Sequence, residues 1–529
     1  MMDNIDECIS ANLHLTDNFT LINKTWNDFF QATQNKKLIL YGLTDITEFL
    51  WLRCENKIVI EAAIDNNNDK QNHRLDELFD ETTLHESRNV KISSKNILEN
   101  YQTNEVVILI SSLRRYEEIA RELEEKNFNC YFSILHLEYN YRKNKESYKT
   151  LADYKKEFSK NCVEKFPIES NKILIYMGNY IEHGKCITEA LLKANDNLDI
   201  VWIVDKISIN APEGVRTIYN GKWKQYCYEL ETAKIWIYNA MPVPIYSVKR
   251  EGQYYIQTKH WGSITLKKFG LDDPAVKNSP ERQMITKINS KWTDYIITGS
   301  ELDENSCRSG FNFNGKFLRF GSPRSDILFN PEHYKEKIYK YFKLNSSDHI
   351  LIYAPTFRAH SKQKYFMKWQ NLNFDLLIES LKQKWNGEWK IFLRLHPFVK
   401  FSSKQVKLSD KLIDVSNYEN SQELIAASDI LISDFSSIIF EPAYVMKPVF
   451  LFAPDKDEYE KNDRELLIRY DKLPFPISTN NEELTDQIKN FDEENYRHKI
   501  KKFFDHYGVK EDGHASERTA EFIIDLLSR

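Results

Sequence analysis

A chain of 529 residues is too long for one hydrophobic core and, at ~150 residues per unit, suggests roughly three. With 41% hydrophobic and 29% charged residues, the composition is that of a folded globular protein and excludes a disordered chain. A formal net charge of −5 excludes a global basic field for nucleic acid or an anionic membrane, so any anion site must be local.

The cysteines, Cys8, Cys54, Cys130, Cys162, Cys186, Cys227 and Cys307, form no C-x-x-C pair, which argues against a zinc cluster and suits a reducing, cytoplasmic compartment. The opening stretch MMDNIDECISANLHLTDN has neither the positive start nor the apolar run of a signal peptide. No run reaches the ~18 apolar residues of a membrane span, so any membrane contact is expected from the surface.

Residues 37–65 read as a strand, a turn at Gly42, a helix and a second strand ending at Asp65. EVVILISS at 105–112 is a further strand, and residues 116–126 form a charged amphipathic helix. Residues 1–140 are therefore expected to be a small Rossmann-like α/β domain. After Gly42 the glycines needed for close pyrophosphate approach are missing, and the sequence assigns the domain no role. Residues 141–170 read as a charged helical linker, with Leu151, Tyr154, Phe158, Cys162 and Phe166 at helical spacing. Asp153, Glu157 and Glu164 dilute its lysines and favour a connecting helix over a membrane-surface one.

From residue 171 the pattern restarts: KILIYMGN, IVWIVD, AKIWIYN, YYIQT and DYIITGS are strands of one parallel sheet, within 171–325. HILIYAPT, WKIFLRLHP, DILISD and PVFLFAP are strands of another, within 326–529. Two such sheets in tandem make a cleft, and ligands of open parallel sheets bind beyond the carboxyl ends of the strands. The residues that follow these strands are the informative ones.

In YIQTKHWGSITLKK a strand delivers His260, whose imidazole can take a proton near neutral pH. In IFLRLHPFVK, strand alternation puts Arg394 and His396 on one face, a pair that suits a phosphate better than a core. In DILISDFSSIIFEPAYVMKP the strand ends at Asp434. Ser436 or Ser437 can cap the next helix and leave backbone N–H groups for an anion; Glu441 could accept from ribose hydroxyls, and Pro442 should kink or restart the helix. In YAPTFRAH, Thr356 and Arg358 face the same space, the guanidinium matching paired phosphate oxygens. RFGSPRSDIL reads equally as an inter-domain hinge or a substrate contact, and EDGHASERTAEFIIDLL as a capped, packed C-terminal helix.

Taken in this order, YIQTKHWGS, GSPRSD, YAPTFR, LRLHP, DVSNY with SDFSSIIFE, and DGHASER make residues ~171–529 resemble the CDP-glycerol glycerophosphotransferase family, the teichoic-acid and capsule poly(glycerol phosphate) polymerases. The resemblance implies a GT-B fold of two Rossmann-like domains facing a cleft, the 171–325 half on the acceptor side and the 326–529 half holding the CDP donor. It implies His260 as base and His396 as second active-site histidine, with Arg358, Ser436 and Ser437 on the donor phosphates; Thr356, Arg394, Asp434 and Glu441, read from the strand ends above, complete the donor side. Lys259, Trp261, Gly262 and Ser263 are assigned to the acceptor side; where the family usually reads tryptophan, histidine, glycine, this chain has Lys259, His260, Trp261 and Gly262, a departure that bears on acceptor choice and not on the fold.

The expected reaction moves glycerol phosphate, or a related polyol phosphate, from a CDP-polyol to the hydroxyl end of a lipid-linked polyol-phosphate or glycan acceptor and releases CMP. No metal site or cofactor is expected, because the fixed cations can stabilise the phosphates, and no nucleic-acid partner, because there is no global basic field. The expected location is cytoplasmic, with peripheral contact at the inner membrane face left open. The alternatives are a GT-B sugar-nucleotide glycosyltransferase or epimerase, and a non-catalytic binding paralogue.

Overall fold

The computed structural model describes residues 21, 23–54, 58–80, 84–113, 115–143, 145, 147–195, 197–239, 243–356, 358, 371–395, 409–462 and 465–529. Three sheets carry the chain. The first is built from β1 (Lys37–Tyr41), β2 (Ile60–Ile64), β3 (Ile92–Ser93), β4 (Val106–Ile110) and β5 (Tyr131–Ser133), all parallel, in the order β3-β2-β1-β4-β5. The second contains β6 (Glu169–Tyr176), β7 (Asp199–Val204), β8 (Val215–Tyr219), β9 (Ala233–Tyr238), β10 (Tyr254–Gln257), β11 (Tyr295–Thr298) and β12 (Lys316–Arg319), in the order β12-β11-β10-β9-β6-β7-β8. The third contains β13 (Asp348–Ala354), β14 (Glu388–Leu393), β15 (Leu412–Asp414), β16 (Ile430–Ser433), β17 (Val449–Phe452) and β18 (Ile477–Ser478), all parallel, in the order β15-β14-β13-β16-β17-β18. Every strand expected from the apolar runs is present. The runs are continuous, not alternating, because helices cover parallel sheets on both faces.

The chain divides into two compact units. One comprises the described residues up to Ile168 with Val201–Thr232 and Tyr246–Val248; the other comprises Glu169–Ile200, Ala233–Ile245 and the described residues from Lys249 on. In the first unit, helix Leu151–Lys165 starts at a Thr150 cap that accepts from the Asp153 N–H at 3.1 Å, and it buries Leu151 and Cys162. Strand order reverses between β1 and β4, where folds of this class bind ligands. Here Thr44 Oγ1 donates to Ser111 O at 2.6 Å, Ser111 Oγ to Gly42 O at 2.6 Å, and Leu43 N to Asp65 at 2.9 Å. The polar groups at that crevice satisfy one another.

In the second unit the third sheet buries Ile350, Ile352, Ile391, Leu393, Leu431 and Phe450 under helices that supply Leu377, Leu381, Ile488 and Ile500. Each such side chain contributes about 1.5–3 kcal/mol by leaving water. The last helix, Ala515–Ser528, returns to the neighbourhood of β9 and β11: Lys234 Nζ donates to Leu527 O at 2.9 Å, and Phe522 meets Tyr295 edge-on at 4.9 Å. Its cap is distant in sequence, the Asp326 carboxylate accepting from the N–H groups of Ala515 and Ser516 at 3.1 and 2.6 Å. Among the described residues no helix is long and apolar enough to cross a membrane.

Candidate active site

Strand β10 ends at Gln257, and the chain then passes through Lys259, whose φ of 66° lies in the left-handed region that side chains avoid. This turn throws out a single side chain: residues 257–259 and 261–266 are buried, and His260 is exposed. Lys259 points inward to an ion pair with Asp303, whose other oxygen accepts from Trp261 Nε1 at 3.0 Å. The Trp261 ring packs on Phe269, with centroids 4.4 Å apart. The Ser263 hydroxyl bonds Glu511, and its N–H donates to the Tyr444 hydroxyl at 3.0 Å, which a Cβ on Gly262 would approach to 2.9 Å. Lys259, Trp261, Gly262 and Ser263, assigned to the acceptor by sequence, instead form the buried seat of His260, because protein partners already take their polar groups.

The carbonyls of this seat are held one by one. Lys259 O accepts from Thr258 Oγ1 at 3.1 Å, His260 O from Arg324 Nη1 at 2.8 Å, and Trp261 O from His183 Nε2 at 3.1 Å. Burial, reinforced by the charges of Arg324 and Lys259, holds His183 well below the usual imidazole range; it is neutral, with its proton on Nε2 toward that carbonyl. His183 and Glu182 open helix Glu182–Ala194, just past β6, and sequence reading missed both. Their position shortly after the end of β6 is the signal that the strand-end rule offers for them.

Arg324 is 8% exposed and ion-paired to Glu441 and, at 3.5 Å, to Glu182. Arg394, at the end of β14, donates through Nη1 to the neutral carbonyls of Val415 and Tyr418 at 3.1 and 2.7 Å. Burial raises the Glu182 carboxyl above its usual range, while Arg324 and Arg394 both pull it down. Arg324 thus pairs with Glu182 directly, and Arg394 acts on it through space.

The donor-side residues are placed unevenly. Arg358 makes a two-pronged bond to Asp455, both contacts 3.0 Å, and one of 2.7 Å to Asp434; two carboxylates already satisfy it. Asp434 also accepts from the N–H groups of Thr356 and Phe435 at 2.8 and 2.7 Å. Arg358 and Asp434, expected at the donor phosphates, form with Asp455 a buried ion triad that ties the loop after β13 to the loops after β16 and β17. Ser436 caps the following turn, accepting from Ile438 N at 3.4 Å, and the Ser437 hydroxyl accepts from Leu266 N at 3.0 Å. Pro442 restarts the chain as a short helix, Phe440–Tyr444, where its missing N–H falls in the first turn. Glu441, expected at the ribose, is 1% exposed with both oxygens taken, one by Arg324 and one by Gln422 Nε2 at 3.0 Å. His396 lies outside the described residues.

Two consequences can be measured. Burial pushes the Glu511 carboxyl up to about 8, against an ordinary 4.5, so its protonated form favours the fold. That stability is complete below the ordinary value and is lost as pH rises through about 8. Glu511→Gln should therefore flatten the fall of Tm between about pH 5 and about pH 8; parallel slopes in variant and parent would refute the assignment. Gly299, the turn after β11, lies directly against the Ser263 side chain, and an added Cβ would overlap its hydroxyl. Gly299→Ala should cost about 1–3 kcal/mol by urea unfolding, and an unchanged midpoint would contradict this packing.

Residues 158–525 match the model of a family described as CDP-glycerol:poly(glycerophosphate) glycerophosphotransferase. The teichoic acid poly(glycerol phosphate) polymerase of Staphylococcus epidermidis is 31% identical over 66% of this chain and 49% of its own length. The chain thus spans about half of that relative. The polymerase of the same description from Bacillus spizizenii is 29% identical over 64% of this chain and 88% of its own length. The solved structure of the wall teichoic acid polymerase TagF superposes with a TM-score of 0.63 at 26% identity, covering 79% of this chain and 98% of that one. That likeness agrees with the GT-B architecture expected from the sequence.

Proposed function

That the chain belongs to the CDP-glycerol:poly(glycerophosphate) glycerophosphotransferase family is the premise from which we propose its activity: transfer of glycerol phosphate, or a related polyol phosphate, from a CDP-activated donor to the hydroxyl end of a cell-wall phosphopolyol acceptor, releasing CMP. One observation carries this reading. An exposed imidazole stands on a loop whose neighbours are all buried, its backbone carbonyl held by the Arg324 guanidinium at 2.8 Å.

In the proposed reaction His260 takes the proton of the acceptor hydroxyl. The oxygen attacks the glycerol-bearing phosphorus in line; a new P–O bond forms as the P–O bond to CMP breaks, and CMP leaves with the electron pair. Arg394 and the Ser436–Ser437 turn stabilise the negative charge that builds on the transferred and leaving phosphates, with His396 as their partner by its match to the family motif. The CDP-polyol is a substrate, and the scheme calls on no cofactor. A lipid-linked acceptor at the inner membrane face completes the reading.

The test is direct. Purified protein incubated with CDP-glycerol and a lipid-linked phosphopolyol primer should release CMP and extend the primer. Turnover of a sugar nucleotide with release of UDP or GDP, or no turnover of any CDP-polyol, would overturn it.

A further inference from the structure

We propose that Arg324 is the positioning residue of His260: its guanidinium grips the His260 carbonyl while pairing with Glu182 on the acceptor half and Glu441 on the donor half. The inference rests on the reading of His260 as the base.

Three elements far apart in sequence meet at this one side chain. Nη1 donates to His260 O at 2.8 Å and lies 3.5 Å from Glu182; Nη2 bonds Glu441. The carboxylates are themselves held, Glu182 by Asn239 Nδ2 at 3.4 Å and Glu441 by Gln422 Nε2 at 3.0 Å. A planar fork with fixed donor directions can serve a carbonyl and two carboxylates together, whereas an ammonium on a flexible stem cannot hold the same angles. A buried arginine needs only carboxylates to balance its charge; the bond to the carbonyl of the exposed histidine goes beyond that need.

The backbone on either side supports the assignment. Lys259, directly before His260, has φ 66°, and Glu182 has φ 56°, both non-glycine residues in the left-handed region. Such conformations persist where surrounding contacts over-determine them, and they gather at working sites. Here Arg324 touches the residue after one and the side chain of the other. Glu441 belongs to the short helix that follows the serine turn, so the guanidinium also fixes the base relative to the donor half.

The test compares Arg324→Lys, His260→Ala and the double variant in the full chain, reading CMP release against CDP-glycerol concentration alongside thermal melts. Arg324→Lys should lower kcat ~10- to 10²-fold with donor KM within about threefold, because a misplaced base slows chemistry without loosening the donor. In the His260→Ala background the same change should add less than about threefold, the non-additivity expected of a residue acting through another. Losses that multiply in the double variant, or a rise in KM with kcat intact, would overturn the proposal. Full activity of His260→Ala would instead remove the base reading itself. Should Arg324→Lys fail to fold, Glu441→Gln keeps the guanidinium and is expected to show the same kcat loss and the same non-additivity; an unchanged kcat there overturns the proposal.

Discussion

His260→Ala is expected to lower turnover at least ~10²-fold while leaving donor KM and Tm nearly unchanged. The rate effect follows from removing the group that accepts the hydroxyl proton. The unchanged stability follows from the loop: His260 is its exposed member, and its shape is set by the Lys259–Asp303 ion pair, the packing of Trp261 and the bonds to the three carbonyls. The exposed His260 ring meets Trp261 edge-on, with centroids 4.9 Å apart, and truncating a side chain at such a surface contact is usually within about 0.5 kcal/mol. Steady-state CMP release and a thermal melt on the same preparation decide the matter. Full turnover on the native acceptor would sink the base assignment, and a collapsed Tm would show that the loop depends on the imidazole.

The strands were legible because a parallel sheet buried on both faces needs unbroken apolar runs, and KILIYMGN, AKIWIYN, HILIYAPT and DILISD are such runs. The position of His260 was legible too, since it lies just past a strand end. Pairings over long sequence distances were not. Arg358 reads as a phosphate ligand until Asp455, 97 residues away, is seen against it. Glu441 reads as a ribose ligand until Arg324, 117 residues away, fills its oxygens. Asp326 caps a helix that begins 189 residues later, so a motif that read as hinge or substrate contact is in part a fastener. Composition and periodicity report local order, and a carboxylate's partner is set by topology. Glu182 and His183 differ: they lie a few residues past the end of β6, so their signal was local.

Arg394 and Arg358 should separate cleanly when replaced, although sequence assigned both to the donor phosphates. Arg358 is balanced by Asp434 and Asp455, so Arg358→Ala leaves two buried carboxylates facing each other and should cost about 3–5 kcal/mol of stability in urea unfolding. Arg394 donates to two neutral carbonyls, and among the described residues no carboxylate lies within ion-pair reach; Glu182 acts on it only through space. Its charge is available to a phosphate, and charge-assisted bonds to anions are the strong ones. Arg394→Gln should therefore raise donor KM about 10²-fold, with a much smaller loss of stability than Arg358→Ala. Measuring KM for the CDP-polyol and the unfolding midpoint of both variants reads the two effects independently. A KM unchanged in Arg394→Gln would move the phosphate site away from β14, and an Arg358→Ala protein of full stability but poor donor binding would return Arg358 to the donor.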